Sequence, residues 1–304
     1  MHAEKIQRML VDDYINVSDD HLMNGLIPVV RIMQRASVSE DNSLQIDFSH
    51  TKFISPVFAL SLIVYLSKSG KRYSFTNLNE YLKMINYSNG GIRPDRMRKS
   101  EFLAAMEGYV HRTFIPIVNF PAKAESDEKD IISSVVESII IRQLNIPSNV
   151  AIGLKYMIEE TLDNITEHSD SDRGFIFSQA YPNKGYLDLC IADRGVSLLG
   201  SYQRIPGNEI ESDLEAIKAA NRGFSSKNLP DAENRGYGIY TSKKMLINGL
   251  GGQYFLLSGS CFYLKTPGFD SFYSLPDGIR WNGTIVAFRI PYNKQKFSYI
   301  NYID

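Results

Sequence analysis

The sequence contains little cysteine and no excess of basic charge. Its two cysteines, Cys190 and Cys261, both lie in apolar runs, so we interpret them as small buried side chains rather than as disulfide partners or zinc ligands. The formal net charge is −1 over 304 residues, which provides no basic field to attract a nucleic acid or an anionic membrane. No nucleic-acid or membrane partner is therefore expected.

Long apolar runs are also missing. The longest covers residues 57–66, far short of the roughly 20 residues that cross a bilayer. The N-terminus lacks the apolar centre of a secretory signal. These absences predict a cytoplasmic protein. Hydrophobic residues still make up 43% of the chain, which suffices for ordinary buried cores, and the length allows two domains.

The first third of the sequence alternates predicted strands and helices. Residues 44–48 alternate apolar and polar side chains, as a strand does. Ser55 and Pro56 begin a helix, because serine is a preferred N-cap and proline is tolerated at the first helical position. A second strand is predicted around residues 73–75, and Asn79 is predicted to cap a short helix. The pattern indicates a small α/β domain.

This order, together with the segment from Phe53 to Leu60, resembles a STAS-like domain. The resemblance leads us to expect a regulatory domain over residues 1–108, followed by a second domain over residues 109–304. In STAS proteins the turn before the helix often carries an Asp-Ser pair whose serine accepts phosphate. Here Ser55 and Pro56 occupy these positions, so we interpret Ser55 as a helix cap rather than as a phosphoacceptor.

One helix of the second domain carries the functional prediction. Its apolar face is formed by Leu154, Ile158, Leu162 and Ile165. Glu160 and Asn164 share another face, about 6 Å apart along the axis. An amide oxygen such as that of Asn164 can bind Mg²⁺ without adding charge beside phosphates, and a carboxylate one turn away can deprotonate an attacking group. A solvated surface helix explains the same charges equally well.

Two strands follow, over residues 175–181 and 186–192, and Asp193 stands where the second one ends. A carboxylate in this place can accept a hydrogen bond from an exocyclic amine such as that of adenine. Gly195 would allow the backbone to approach a flat base. Asp-x-Gly is also a common turn, so this motif has little weight alone.

A Gly-x-Gly motif precedes a later helix. Gly236 and Gly238 would allow backbone N–H groups at the helix start to meet an anion. Lys227, Arg235 and Lys243 are candidates for phosphate contact, although each could equally be a surface charge. The last predicted strand begins at Gly283 and Thr284.

The order of these motifs over residues 125–292 resembles the GHKL ATPase family. That family comprises gyrase, certain chaperones, histidine kinases, mismatch-repair proteins and the anti-sigma-factor serine kinases. The resemblance implies ATP and Mg²⁺ as ligands and an α/β (α+β) fold class. Its C-terminal part would be a two-layer α/β sandwich of the Bergerat type, with helices on one face of a mixed sheet. The roles it implies are general base for Glu160, Mg²⁺ ligand for Asn164, adenine recognition for Asp193 with Gly195, phosphate proximity for Gly236 and Gly238, and base proximity for Thr284.

One position departs from the family pattern. The adenine motif often has a second glycine where this chain has Val196 and Ser197. We expect adenine binding to persist and the loop to differ in shape.

The sequence is compatible with three functions. The first is a serine/threonine kinase or nucleotide-gated switch of the anti-sigma-factor type, acting on a protein partner. The others are an ATP-hydrolysing clamp and a non-catalytic ATP-binding module. The fused STAS-like domain favours the first, and the chain has no room for the transducer domain that such clamps add. A histidine kinase is disfavoured, because none of His2, His21, His50 and His111 lies in the expected acceptor helix. A homodimer remains compatible with the sequence.

Overall fold

The computed structural model describes residues 6–10, 21–40, 42–123, 126–224, 238–293 and 296–302. The strands are β1 (Ile6–Leu10), β2 (Ser43–Asp47), β3 (Arg72–Thr76), β4 (Phe114–Pro121), β5 (Arg173–Tyr181), β6 (Tyr186–Asp193), β7 (Gln253–Gly259), β8 (Cys261–Thr266), β9 (Phe269–Ser274) and β10 (Trp281–Pro291). The α-helices are α1 (Leu26–Ser37), α2 (Pro56–Lys68), α3 (Glu80–Met84), α4 (Lys99–Glu107), α5 (Ser126–Leu144), α6 (Ser148–His168), α7 (Leu198–Tyr202), α8 (Asp213–Asn221) and α9 (Gly238–Lys244). Among these described segments, no helix combines the length and apolarity needed to cross a bilayer.

The larger sheet has seven strands in the order β4-β5-β6-β10-β7-β8-β9. Neighbouring strands are antiparallel throughout. The resemblance implied a mixed sheet, and this expectation is wrong for the described pairings. The physical reason is the connectivity: β5–β6 and β7–β8–β9 follow one another directly as antiparallel neighbours, and β10 returns antiparallel to both β6 and β7. Mixed α/β architecture with helices packed on an antiparallel sheet is therefore the observed fold class.

Helices α5, α6 and α9 cover one face of this sheet, here called the front face. The apolar stripe predicted for α6 is buried as expected, with Leu154, Ile158 and Leu162 at 0% exposure. It packs with front-face side chains of β6 and β10 in one cluster. Helix α9 continues into a π-helix, Met245–Leu250, so the predicted helix after the glycines is confirmed. These contacts fix α6 at the sheet, and its polar side points away from the core.

The N-terminal part forms a second, three-stranded sheet, in which β1, β2 and β3 are parallel. Helix α2 begins where predicted, and Ser55 caps it by accepting a hydrogen bond from the Phe58 N–H at 3.3 Å. Because α2 is apolar on nearly all sides, it can contact two surfaces at once. It packs in the N-terminal core and also against β5, β6 and β10 of the larger sheet.

The opposite face of the seven-stranded sheet, here called the back face, is thus covered by the N-terminal part. Back-face side chains such as Phe177 and Ala192 share one cluster with Phe58 of α2 and with Trp281. Helix α4 instead packs on α5 and contributes Phe102 to the front-face cluster. The domain boundary near residue 108 stays a prediction. Helix α2 packs directly against the larger sheet.

Replacing the α2 side chain Phe58 by alanine is expected to lower the free energy of unfolding by about 3–5 kcal/mol, the cost of a large cavity. Because α2 joins both sheets, the whole chain should unfold in one transition. Trp281 is the only tryptophan and is 1% exposed in the same cluster, so its fluorescence in urea reports the event. The matched control is Ile152→Ala on α6, where the side chain is 44% exposed and the expected change is within about 0.5 kcal/mol. A Phe58→Ala loss below about 1 kcal/mol would contradict the bridging role of α2.

Candidate functional site

Glu160 and Asn164 lie on the side of α6 that faces a cavity. The side-chain amide of Asn164 donates from Nδ2 to the backbone oxygen of Glu160 at 2.8 Å. This bond uses the donor side of the amide and leaves Oδ1 as the atom available to a ligand. Both residues line the cavity. The i, i+4 spacing noted in the sequence thus produces adjacent polar groups at one site.

Asp193 is 2% exposed at the end of β6. Its Oδ1 accepts the Gly195 N–H at 2.8 Å, and its Oδ2 accepts the Thr284 N–H at 3.0 Å. Burial raises the pKa of Asp193 to about 7, and the two backbone hydrogen bonds offset part of that rise. The carboxylate is therefore held rigidly, and each oxygen keeps further capacity to accept a hydrogen bond.

Two glycines allow the chain to pass closely around Asp193. A Cβ on Gly195 would lie 1.9 Å from the backbone oxygen of Ser169, at the end of α6. Gly283 has φ +95, and its Cβ would lie 2.3 Å from the Asp193 backbone oxygen. Gly195 is not among the cavity-lining residues. The close approach that it permits is to the end of α6, whereas we predicted an approach to the base.

Thr284 enters the cavity wall beside Ser258 of β7. The Ser258 hydroxyl donates to the Gly283 backbone oxygen at 3.0 Å and lies 3.4 Å from the Thr284 hydroxyl. It also accepts the Leu198 N–H at 2.9 Å. Ser258 therefore joins three segments around the Asp193 carboxylate. Nothing local in the sequence identified it, because its partners are distant in the chain.

The five described residues Glu160, Asn164, Asp193, Gly238 and Thr284 line a single cavity of about 260 Å³. This is close to the lower end of ordinary small-molecule sites, which measure about 300–1,000 Å³. Ile191 and Val286 contribute from the front face of the sheet. The other apolar lining residues include Leu198, Tyr202, Ala220, Phe224 and Ile239. The cavity wall thus combines apolar and polar side chains.

Helix α7 was not predicted, and it forms part of this wall. Ser197 caps α7 by accepting the Gly200 N–H at 3.3 Å. Val196 and Ser197 therefore lead into a helical turn, and both line the cavity. Tyr202 at the end of α7 donates its hydroxyl to the Phe224 backbone oxygen at 2.6 Å.

Three predicted phosphate contacts fall outside the described residues: Gly236, Lys227 and Arg235. Lys243 is described, and its ammonium donates to the Asn221 backbone oxygen at 2.8 Å and lies over the Tyr263 ring. Burial lowers the pKa of Lys243 to about 8. Lys243 is not among the residues that line the cavity in the described structure.

The charges that line the cavity have one sign in the part of the chain that the structure describes. They are the acidic residues Glu160, Asp163, Glu167 and Asp193. Lys129 of α5 forms an ion pair with Asp163 but does not line the cavity. An anionic ligand would need a cation to accompany it here. The described residues contain no group of three or more His, Cys, Asp or Glu that could hold a metal by itself.

No protein family matches the sequence, and no curated protein matches it either.

Proposed function

We propose that the chain is a Mg²⁺-dependent adenine-nucleotide-binding protein with the Bergerat fold of the GHKL family. In this proposal it transfers a phosphoryl group from ATP to a serine or threonine hydroxyl of a protein partner. The observation that carries the proposal is the convergence of Glu160, Asn164, Asp193, Gly238 and Thr284 on one cavity. These residues are distant in sequence, and each was predicted for a role at the same nucleotide.

Asp193 would recognise the adenine base. Its carboxylate can accept a hydrogen bond from the exocyclic amine of adenine, and its two backbone partners fix its orientation. Ile191 and Val286 provide an apolar surface for the ring. Guanine presents an oxygen at the position of that amine, so two acceptors would face each other. Buried acceptors without a donor are costly, which favours adenine over guanine.

Asn164 would bind Mg²⁺ through Oδ1, since its Nδ2 is already bonded within α6. Mg²⁺ is usually held by one or two protein oxygens together with substrate phosphates. When bound, Mg²⁺ supplies charge compensation for phosphate oxygens. The acidic lining makes this compensation necessary.

Glu160 would act as the general base. A carboxylate beside the phosphate end of the site can accept the proton of an attacking hydroxyl while the new O–P bond forms and ADP leaves. The attacking group is a serine or threonine hydroxyl in the kinase proposal and a water molecule in the alternative, an ATPase. Gly238 permits the arrangement, because a Cβ there would lie 2.0 Å from Glu160 Oε2.

The N-terminal part, which we propose is STAS-like, lies on the back face of the sheet. The cavity is on the front side, where it is lined by residues of α6, β6 and β10. This placement favours a structural or sensing role for the N-terminal part and argues against its occupying the substrate surface. Ser55 caps α2, which favours a structural role for its hydroxyl rather than a role as phosphoacceptor.

The affinity for adenosine is expected to fall about tenfold between pH 8 and pH 6. The ionised Asp193 accepts the amine in a stronger, charge-assisted hydrogen bond than the neutral carboxyl does. Its pKa in the free protein is about 7, so protonation weakens binding as the pH falls. Adenosine is chosen because it has no phosphate to titrate over this range. Calorimetric titrations at several pH values measure the change. An affinity that stays constant would contradict the role of Asp193.

Phosphoryl transfer is tested by incubating the protein with γ-labelled ATP, Mg²⁺ and extract from its source cells. A labelled protein that appears with wild type and not with Glu160→Gln supports the kinase proposal. Label released only as inorganic phosphate would replace the kinase with an ATPase. If nucleotide binds but label is transferred to neither protein nor water, the protein would be a non-catalytic ATP-binding module.

A further inference from the structure

Helices α7 and α8 both contribute side chains to the cavity wall. Leu198 and Tyr202 belong to α7, and Ala220 belongs to α8. The two helices pack on each other in a small cluster of their own, in which the buried residues are Leu199, Tyr202 and Ala216. Because this cluster is small, polar attachments to the sheet become important for where the two helices lie.

Arg280, which directly precedes β10, binds the first residue of α8. Its guanidinium donates from Nη1 to Asp213 Oδ2 at 2.7 Å and from Nη2 to Asp213 Oδ1 at 3.0 Å. Such a two-point contact fixes the orientation of the carboxylate as well as its distance. Asp213 is 5% exposed, so this buried charge depends on its partner. The start of α8 is thereby held at the sheet.

The turn between β7 and β8 holds the same carboxylate. Asp213 Oδ2 accepts the backbone N–H and the hydroxyl of Ser260, each at 2.9 Å. Gly259 has φ +63, and a Cβ there would lie 2.0 Å from Asp213 Oδ1, so the turn admits the carboxylate only with glycine at this position. Two separate segments of the sheet therefore anchor the start of α8.

The Arg280 guanidinium also reaches the start of α7. Its Nη2 donates to Ser197 Oγ at 3.3 Å, and Ser197 both caps α7 and lines the cavity. At their other ends the two helices are joined by the hydrogen bond from Tyr202 to the Phe224 backbone. Arg280 and Asp213 do not themselves line the cavity. They act on its wall through the helices that they hold.

We propose that Arg280 and Asp213 are positioning residues that hold α7 and α8 at the cavity and thereby set the affinity for the nucleotide, an inference that rests on the proposed function and extends it. Glu160 and Asn164 belong to α6, which this attachment does not include. Loss of Arg280 should therefore weaken nucleotide binding, while kcat at saturating ATP and the response to Mg²⁺ stay unchanged.

Arg280→Gln is expected to weaken the binding of both ATP and adenosine about tenfold, the effect of one lost hydrogen bond to a charged group, with kcat within about twofold of wild type. Arg280→Lys, which keeps the charge, should lose less affinity. Adding Asp213→Asn to Arg280→Gln should cause no further loss, because the two residues act as a pair. Calorimetric titrations and steady-state kinetics measure these quantities. Unchanged affinity in Arg280→Gln, or a loss of kcat alone, would overturn the inference.

Arg142→Gln is the matched control. Arg142 of α5 binds Glu107 of α4 through both Nη atoms, at 2.8 and 2.5 Å, and neither residue lines the cavity. The variant removes the same kind of two-point ion pair and should keep wild-type affinity. Thermal melts of all variants establish that they are folded at the temperature of the titrations. An equal loss of affinity in Arg142→Gln would overturn the inference.

Hydrogen exchange of the protein without nucleotide provides a readout that does not need binding or turnover. We expect the backbone amides of α7 and α8 to exchange faster in Arg280→Gln than in wild type, and those of α6 to keep their rates. Wild-type exchange rates in α7 and α8 would overturn the inference even if the protein proves to bind no nucleotide. Faster exchange confined to α7 and α8, in a protein whose wild-type form binds no nucleotide, would instead contradict the proposed function alone.

Discussion

Glu160→Gln is expected to reduce turnover by about 10²–10⁴-fold, the usual contribution of a general base. The amide has nearly the same shape as the carboxylate but does not accept a proton. Since Glu160 is assigned no contact with the base, ATP should bind with an affinity within about twofold of wild type, well below the effect of one lost hydrogen bond to a charged group. Steady-state kinetics combined with calorimetric binding separate the two quantities.

Glu159→Gln is the matched control for this experiment. Glu159 is the neighbouring carboxylate on α6, it lies 3.7 Å from Lys155 in an ion pair, and it does not line the cavity. Its replacement should leave both turnover and affinity unchanged. Wild-type turnover in Glu160→Gln would place the base elsewhere. A joint loss of affinity and turnover would assign Glu160 to ligand binding.

Asn164→Ala should abolish the dependence of ATP affinity on Mg²⁺. The substitution removes Oδ1, the oxygen that we assign to the metal, and leaves the acidic lining without its cation. Wild type should bind ATP at least tenfold more tightly with Mg²⁺ than without it, about 1.4 kcal/mol, and the variant should bind equally weakly in both conditions. Calorimetry at saturating Mg²⁺ and in EDTA provides the comparison.

Asn149→Ala controls for the loss of an asparagine from the same helix. Asn149 donates to the Phe297 backbone oxygen at 2.9 Å and does not line the cavity. Its variant should keep the wild-type response to Mg²⁺. A full Mg²⁺ response in Asn164→Ala would show that the metal has another protein ligand.

Much of the fold around the cavity follows from local patterns. The 3.6-residue spacing of Leu154, Ile158 and Leu162 predicted which face of α6 is buried, and this placed Glu160 and Asn164 on the free side. In α5 the buried residues include Ile132, Val136 and Ile139, and this helix is packed by α4 as well as by α6.

Long-range contacts account for the features that the sequence did not reveal. The all-round apolar character of α2 predicts burial, but not that two different sheets bury it. The need for glycine at position 195 is explained by the closeness of the Ser169 backbone. The role of Ser258 is explained by its hydrogen bonds with Gly283 and Leu198. None of these partners is near in sequence. The capping motif at Ser197 was readable in principle, since serine before a short apolar segment favours a helix start, and it would have predicted α7.

The most direct test of the central claim is the thermal stability of the wild-type protein with ATP, ADP and GTP, each with and without Mg²⁺. A ligand at 100 times its dissociation constant stabilises the folded state by about 2.7 kcal/mol, a shift that is easily measured. We predict the largest stabilisation with ATP and Mg²⁺, a smaller one with ADP, and none with GTP. Equal stabilisation by GTP and ATP, or no response to any nucleotide, would contradict the account.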